Sequence, residues 1–194
     1  MNNEQRKRNF NLYGTGNDFY RANKELLKEG INTIDLVKVN DSYFINVICF
    51  GIDADIGNHS DIIHSKIIPK KERYNVGLVY HFLTYSPRKM KIEVENKTYE
   101  DVFTTVAVCN ARYYGGGYKI APTSSLTDGL LDIYLVKKTN RFDMIRLIAG
   151  IKYALHEQSP KTIKLQSNKV KIQSDIEIES NMDGEILKAK EFNI

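Results

Sequence analysis

Along most of the chain apolar and polar residues alternate with a period of two, the pattern of strands that lay one face on a core. Met90, Ile92 and Val94 alternate with Lys89, Lys91, Glu93 and Glu95; the pattern breaks at Asn96-Lys97 and resumes over 98–109, which predicts a hairpin. It returns over 130–136, in Val170 and Ile172 between lysines, and in Ile176 and Ile178 between acids, each stretch bounded by turn residues. Ile34 and Leu36 alternate with Asp35 and Val37, and Tyr43 to Ile52 is almost continuously apolar, as expected of a strand buried on both faces.

Three segments change period. After a glycine-rich turn at 14–18, Phe19, Ala22, Leu26 and Leu27 recur at helical spacing as far as Gly30. A second helix is predicted over 74–85, and a third over 141–156, where Phe142, Ile145, Ile148, Ala149 and Leu155 form a broad apolar face behind Asn140 as N-cap. The expected fold is α+β but mainly β: an antiparallel β-sandwich or barrel-like body with two or three helices. The change of period near 30–33 divides the chain into 1–30 and a β-rich unit over 31–194.

Composition narrows the class. With 194 residues and 42% hydrophobic content the chain can bury a sizeable core. Its longest apolar stretch is about half the length needed to cross a bilayer, and no secretory signal pattern opens it, so a cytoplasmic protein is expected. Cys49 and Cys109 sit in strand-like apolar runs, which suits buried reduced thiols. The net charge of +4, from 28 basic against 24 acidic residues, falls short of the concentrated basic stripe of a nucleic-acid binder. It would still assist visits to an anionic membrane surface. His59, His64, His81 and His156 lack metal-ligand spacing.

The strongest local motif is Gly14-Thr15-Gly16-Asn17-Asp18-Phe19, followed by Tyr20-Arg21. Two glycines let the backbone approach a phosphate, Asn17 or Asp18 can cap the following helix, and a carboxylate beside a phosphate calls for an intervening Mg²⁺. A plain turn with an N-cap accounts for the same residues. Asp35 can be an exposed strand residue, Asp128-Gly129 a turn, Gly115-Gly116-Gly117 a loop or a phosphate-hugging bend, and Glu185 the residue that follows an Asp-Gly turn.

In order along the chain come Gly-Thr-Gly-Asn-Asp-Phe, Asp35, Phe44-Ile45-Asn46, Gly51-Ile52-Asp53-Ala54, Asn110, the triple glycine, Pro122, Leu126-Thr127-Asp128-Gly129-Leu130-Leu131-Asp132 and Asn181-Met182-Asp183-Gly184-Glu185. In this the chain resembles the diacylglycerol kinase catalytic-domain family, which includes sphingosine kinases, over about residues 10–190. The resemblance implies transfer of the ATP γ-phosphate to a lipid hydroxyl. Gly14, Thr15, Gly16 and Asn17 would lie at the nucleotide, Asp18 at Mg²⁺ and phosphate, Asp35 in a carboxylate network around that ion, and Asp128 at a second, structural magnesium. Glu185 would be the general base. Residues 1–30 would then be part of a nucleotide-binding domain, although the Gly-Gly-Asp-Gly-Thr phosphate loop of such domains is not found in the 13 residues before Gly14. The expected partner is diacylglycerol or a related lipid at a membrane surface, with a homodimer admissible. The alternatives are a non-catalytic lipid-binding module and a soluble-substrate kinase resembling NAD kinase, from which the first and last motifs point away.

Overall fold

The computed structural model describes residues 33–58, 80–81, 83–114, 118–151 and 153–194. The turn at 14–18 with its helix, the triple glycine and most of the segment predicted as helix over 74–85 lie outside these residues; 80–81 and 83–84 are helical as expected.

Among the described residues the named elements follow in the order β1 (Val37–Val39), β2 (Ser42–Phe44), β3 (Val47–Gly51), α1 (Ile52–Asn58), β4 (Arg88–Val94), β5 (Lys97–Cys109), β6 (Leu131–Lys137), α2 (Arg141–Ile151), β7 (Thr162–Ser167), β8 (Lys171–Met182) and β9 (Glu185–Asn193), with a 3₁₀ turn at Leu155–Gln158. Every pairing is antiparallel. β1 and β2 form a separate hairpin; the other seven strands form one sheet in which β3 and β4 each pair with both β5 and β8, closing a four-strand ring. β6 and β7 extend it beyond β5, and β9 extends it beyond β8. The architecture is the mainly β, barrel-like one expected.

The alternation explains the core. Met90, Ile92 and Val94 from β4 meet Ile48 and Phe50 from β3, Phe103, Val106 and Val108 from β5, Ile133 and Leu135 from β6, Ile172 from β8 and Phe192 from β9. Phe50 and Phe192 pack edge to face with centroids 4.7 Å apart. Burying each such side chain contributes about 1.5–3 kcal/mol. The polar positions of β4 face out, where Lys89 pairs across the strands with Glu100 at 2.6 Å. On the opposite face of the sheet Val47, Cys49, Ala107, Cys109 and Tyr134 are covered by Ile120, Ala121 and Ile151, and both thiols are buried.

Three local expectations differ from the structure. The apolar run 43–52 is broken into β2 and β3, and the chain enters α1 at Ile52. The break after β3 is at Gly51, whose φ of +90° suits glycine and whose site has no room: a Cβ there would lie 2.5 Å from the Thr104 carbonyl oxygen. Gly51→Ala is therefore expected to cost about 2 kcal/mol by urea denaturation, combining left-handed strain with a backbone clash. Second, the 170–172 and 176–178 alternations belong to one strand, β8, whose register against β9 shifts between Gln173 and Ile178. Third, the helix predicted over 141–156 ends at Ile151, and its orientation is reversed. Asn140 does cap it, Oδ1 accepting the Asp143 N–H at 2.9 Å. Met144 and Ile151 are the buried positions, whereas Phe142, Ile145 and Ala149 point to solvent, with Phe142 81% exposed. Both stripes have helical spacing, and contact with the sheet selects the one opposite to that expected.

Candidate functional site

Of the motif residues within the described structure, Asp35, Asn46, Asn110, the 126–132 run and residues 183–185 gather at one end of the sheet, where β3 begins, β5 ends, β6 begins and β8 turns into β9, whereas residues 51–54 lie at the far end of β3. Asn110, 1% exposed, follows β5 and organises this end. Its Nδ2 donates to the carbonyl oxygens of Ile45 (2.8 Å) and Asp35 (3.2 Å), while Oδ1 is buried without a partner. The backbone N–H groups of Asn110 and Ala111 both donate to the Asn46 carbonyl. One buried amide thus ties the segment before β1 to the loop before β3.

Asp35 lies just before β1, outside any strand. Its N–H donates to the Leu126 carbonyl at 2.7 Å and its Oδ2 accepts the Gly129 N–H at 2.8 Å, so Asp35 is held against the 126–129 turn. Asp128 closes that turn on itself, Oδ1 accepting the Leu130 N–H at 3.0 Å, with Gly129 at φ +68°. Asp35 and Asp128 are brought to one place, each already accepting one backbone donor. An open cleft of about 590 Å³ runs beside them, with Asn110, Lys38 and Lys169 in its walls.

The terminal motif forms a two-residue hairpin. Asp183 (φ +48°) and Gly184 (φ +91°) connect Met182 to its partner Glu185, which matches the tight turn favoured by Asp-Gly. The Asp183 carboxylate reaches across to the loop before β3: Oδ2 accepts from the N–H of Ile45 at 2.7 Å, Oδ1 from Val47 at 2.9 Å, and Asn46 N–H lies within 3.2 Å of both oxygens. The Asp183 N–H in turn donates to the Val47 carbonyl at 3.0 Å. Burial pushes the Asp183 carboxyl upward, and the three backbone N–H groups pull against it. Glu185, the first residue of β9, stands exposed beside this clamp. Asp183 and Asn110 both bond the 45–47 loop and Asn110 carries Asp35 with it, while Glu185 follows two residues after Asp183 in the turn. Gly14, Thr15, Gly16, Asn17 and Asp18 lie outside the described residues.

Sequence reasoning assigned no role to Asp183 beyond its turn, nor to Asn46 and Asn110 beyond their motifs. The signal was their position: each stands at a predicted strand end beside a turn, where a side chain can reach another strand's backbone. A further carboxylate, Asp53 at the start of α1, is buried, and burial pushes its pKa up while the Thr105 hydroxyl opposes this. Thr105 Oγ1 lies 3.0 Å from the Phe50 carbonyl and 2.8 Å from Asp53 Oδ2. Because the folded pKa is raised, the cost of ionising Asp53 is present above that pKa and vanishes as pH falls through it. Asp53→Asn is expected to match or exceed wild-type melting temperature at pH 8, with the wild type gaining on the variant as pH is lowered. His156 is a core histidine: buried, with Nε2 2.7 Å from the Ile120 carbonyl.

The fold defines a mainly β, antiparallel domain built on a four-strand ring. Residues 46–192 match the YegS C-terminal NAD kinase beta sandwich-like domain, and the chain belongs to that family. Among curated proteins it is 29% identical over 190 residues to a diacylglycerol kinase of Bacillus subtilis and 28% identical over 189 residues to a "Probable lipid kinase YegS-like" of Shewanella frigidimarina. These alignments cover 89% and 92% of the chain but 60% of each relative, so the chain spans about three-fifths of their length. In fold it is similar to a crystal structure of a Bacillus anthracis diacylglycerol kinase (TM-score 0.56, 22% identity, 87% of this chain and 52% of that one). Among the described residues no helix is long and apolar enough to cross a membrane.

Proposed function

We propose that the chain is the lipid-handling and proton-accepting part of an ATP-dependent lipid kinase acting on diacylglycerol or a related lipid hydroxyl. The observation that carries this reading is the Asp183 clamp, which fixes the Asp-Gly-Glu turn against the 45–47 loop and leaves the Glu185 carboxylate exposed. Relatives named as diacylglycerol and lipid kinases support it over the resemblance to NAD kinase.

In this reading ATP supplies the phosphoryl group and Mg²⁺ neutralises its charge. Among the described residues no cluster of three or more His, Cys, Asp or Glu could hold a metal ion. Asp183 is committed to backbone N–H groups, and Asp35 and Asp128 each accept one. In this reading Asp18, within the Gly-Thr-Gly-Asn-Asp motif, would hold the magnesium at the phosphates with Asp35 in its carboxylate network, and Asp128 with backbone carbonyls would hold the structural one. The role left to this chain's visible residues is local. Glu185 accepts the proton of the lipid hydroxyl as its oxygen attacks, while Asp183, Asn110 and Asn46 hold the surrounding backbone rigid.

The test is phosphoryl transfer from ATP to dioleoylglycerol in mixed micelles by these residues joined to the nucleotide-binding segment of the Bacillus subtilis relative. Magnesium-dependent production of phosphatidic acid is expected. Transfer to NAD in place of lipid would overturn the reading, as would a folded chimera that transfers phosphate to neither.

A further inference from the structure

The reversed orientation of α2 leaves an apolar ridge on the outside of the molecule. Phe142, Ile145 and Ala149 recur at helical spacing on the solvent side, and on the opposite side Met144 packs with Ile52 and Tyr85 while Ile151 covers the sheet. Beyond the helix, Tyr153 is 69% exposed and Leu155 is also turned outward. At the other end the Arg141 guanidinium donates to the backbone carbonyl of Leu83, itself an exposed leucine. Singly scattered apolar side chains on a surface need no explanation; a row on one helix face marks a surface that meets something apolar.

The charges beside the ridge select the partner. On the helical wheel Arg141 and Arg146 lie on either side of Phe142 and Ile145, and Lys138 is exposed three residues before the helix. Of the acids nearby, Asp143 lies on the side of the helix away from the ridge, where it accepts from Asn140, and Asp101 pairs with Lys137 at 3.0 Å. An apolar row bordered by cations fits an anionic bilayer, whose acyl boundary takes the apolar side chains while its headgroups meet the basic ones. A second copy of the same face would set arginines against arginines.

We propose that the outer face of α2 is the surface by which this protein lies on an anionic lipid membrane, with Phe142 and Ile145 inserted at the acyl boundary and Arg146 at the headgroups. The proposal deepens the lipid-kinase reading by assigning the docking surface, but vesicle binding requires neither ATP nor turnover, so the two can fail separately.

The experiment is co-sedimentation of the full chain with phosphatidylcholine vesicles, with and without phosphatidylglycerol. Partition onto the anionic vesicles is expected to exceed that onto neutral ones and to weaken with salt. Phe142→Ser combined with Ile145→Ser should lower it at least about tenfold, since both side chains lose apolar burial in the membrane. Arg146→Gln should lower it about fivefold and Arg146→Lys should restore it. All these positions are exposed, so unchanged thermal unfolding is expected and separates docking from folding. Failure of the wild-type chain to bind anionic vesicles would overturn the proposal, as would equal binding by the double-serine variant. So would a sedimentation-equilibrium dimer that the double-serine variant dissolves in the absence of lipid.

Discussion

Replacing Asp183 by alanine or glycine is expected to lower stability by about 3 kcal/mol, the largest loss among the substitutions considered. The carboxylate accepts the N–H groups of Ile45, Asn46 and Val47 from a distance of 136 to 138 residues along the chain. Removing it strands three donors at once. A buried donor left unpaired costs about 1–3 kcal/mol, and the partial exposure of the site lets water recover some of the sum. Glycine adopts the φ of +48° without strain and alanine does not, so the difference between the two variants measures the turn, and their common loss measures the clamp. For a chain of this size about 3 kcal/mol corresponds to a fall of roughly 10 °C in melting temperature. A common loss below about 1 kcal/mol would mean that the three donors find water and that the clamp is not what holds the turn to the 45–47 loop.

The physical origin of each feature decides how much of it could be read along the chain. The β4–β5 hairpin was legible because Met90, Ile92 and Val94 alternate with charged residues and the register follows from parity. The site motifs were legible as short runs at predicted turns. What joins them was not: the contacts from Asp183 to Ile45 and from Asn110 to Asp35 and Ile45 are long-range side chain-to-backbone bonds without a local signature. The division of the 43–52 run depends on the crowding at Gly51, a tertiary fact. For α2 two apolar stripes competed, and the one carrying Phe142 and Ile145 stays outside while Met144 and Ile151 turn inward. That excess of exposed apolar surface, which propensity alone would have buried, is where a partner is to be sought.

Glu185 is expected to carry the chemistry that its neighbour Asp183 only positions. A lipid hydroxyl is a very weak acid, so its attack on a phosphoryl group gains from a carboxylate that accepts the proton as the new bond forms, an effect of about 10²- to 10⁴-fold in rate. Glu185 meets the local requirements. It opens β9 directly after the Asp183-Gly184 turn, its backbone is fixed by pairing with Met182, and its side chain is exposed at the end of the sheet shared with Asp35 and Asn110. In the protein joined to a nucleotide-binding segment, Glu185→Gln retains the size and much of the hydrogen bonding but cannot take the proton. Its kcat should fall at least about a hundredfold while KM for ATP changes little. Thermal unfolding of Glu185→Gln should match wild type, in contrast to the Asp183 variants, because an exposed Glu to Gln change is worth within about 0.5 kcal/mol. Near-normal turnover of Glu185→Gln at saturating lipid would remove Glu185 from the mechanism and make Asp35, tethered across the same loop through Asn110, the next carboxylate to replace.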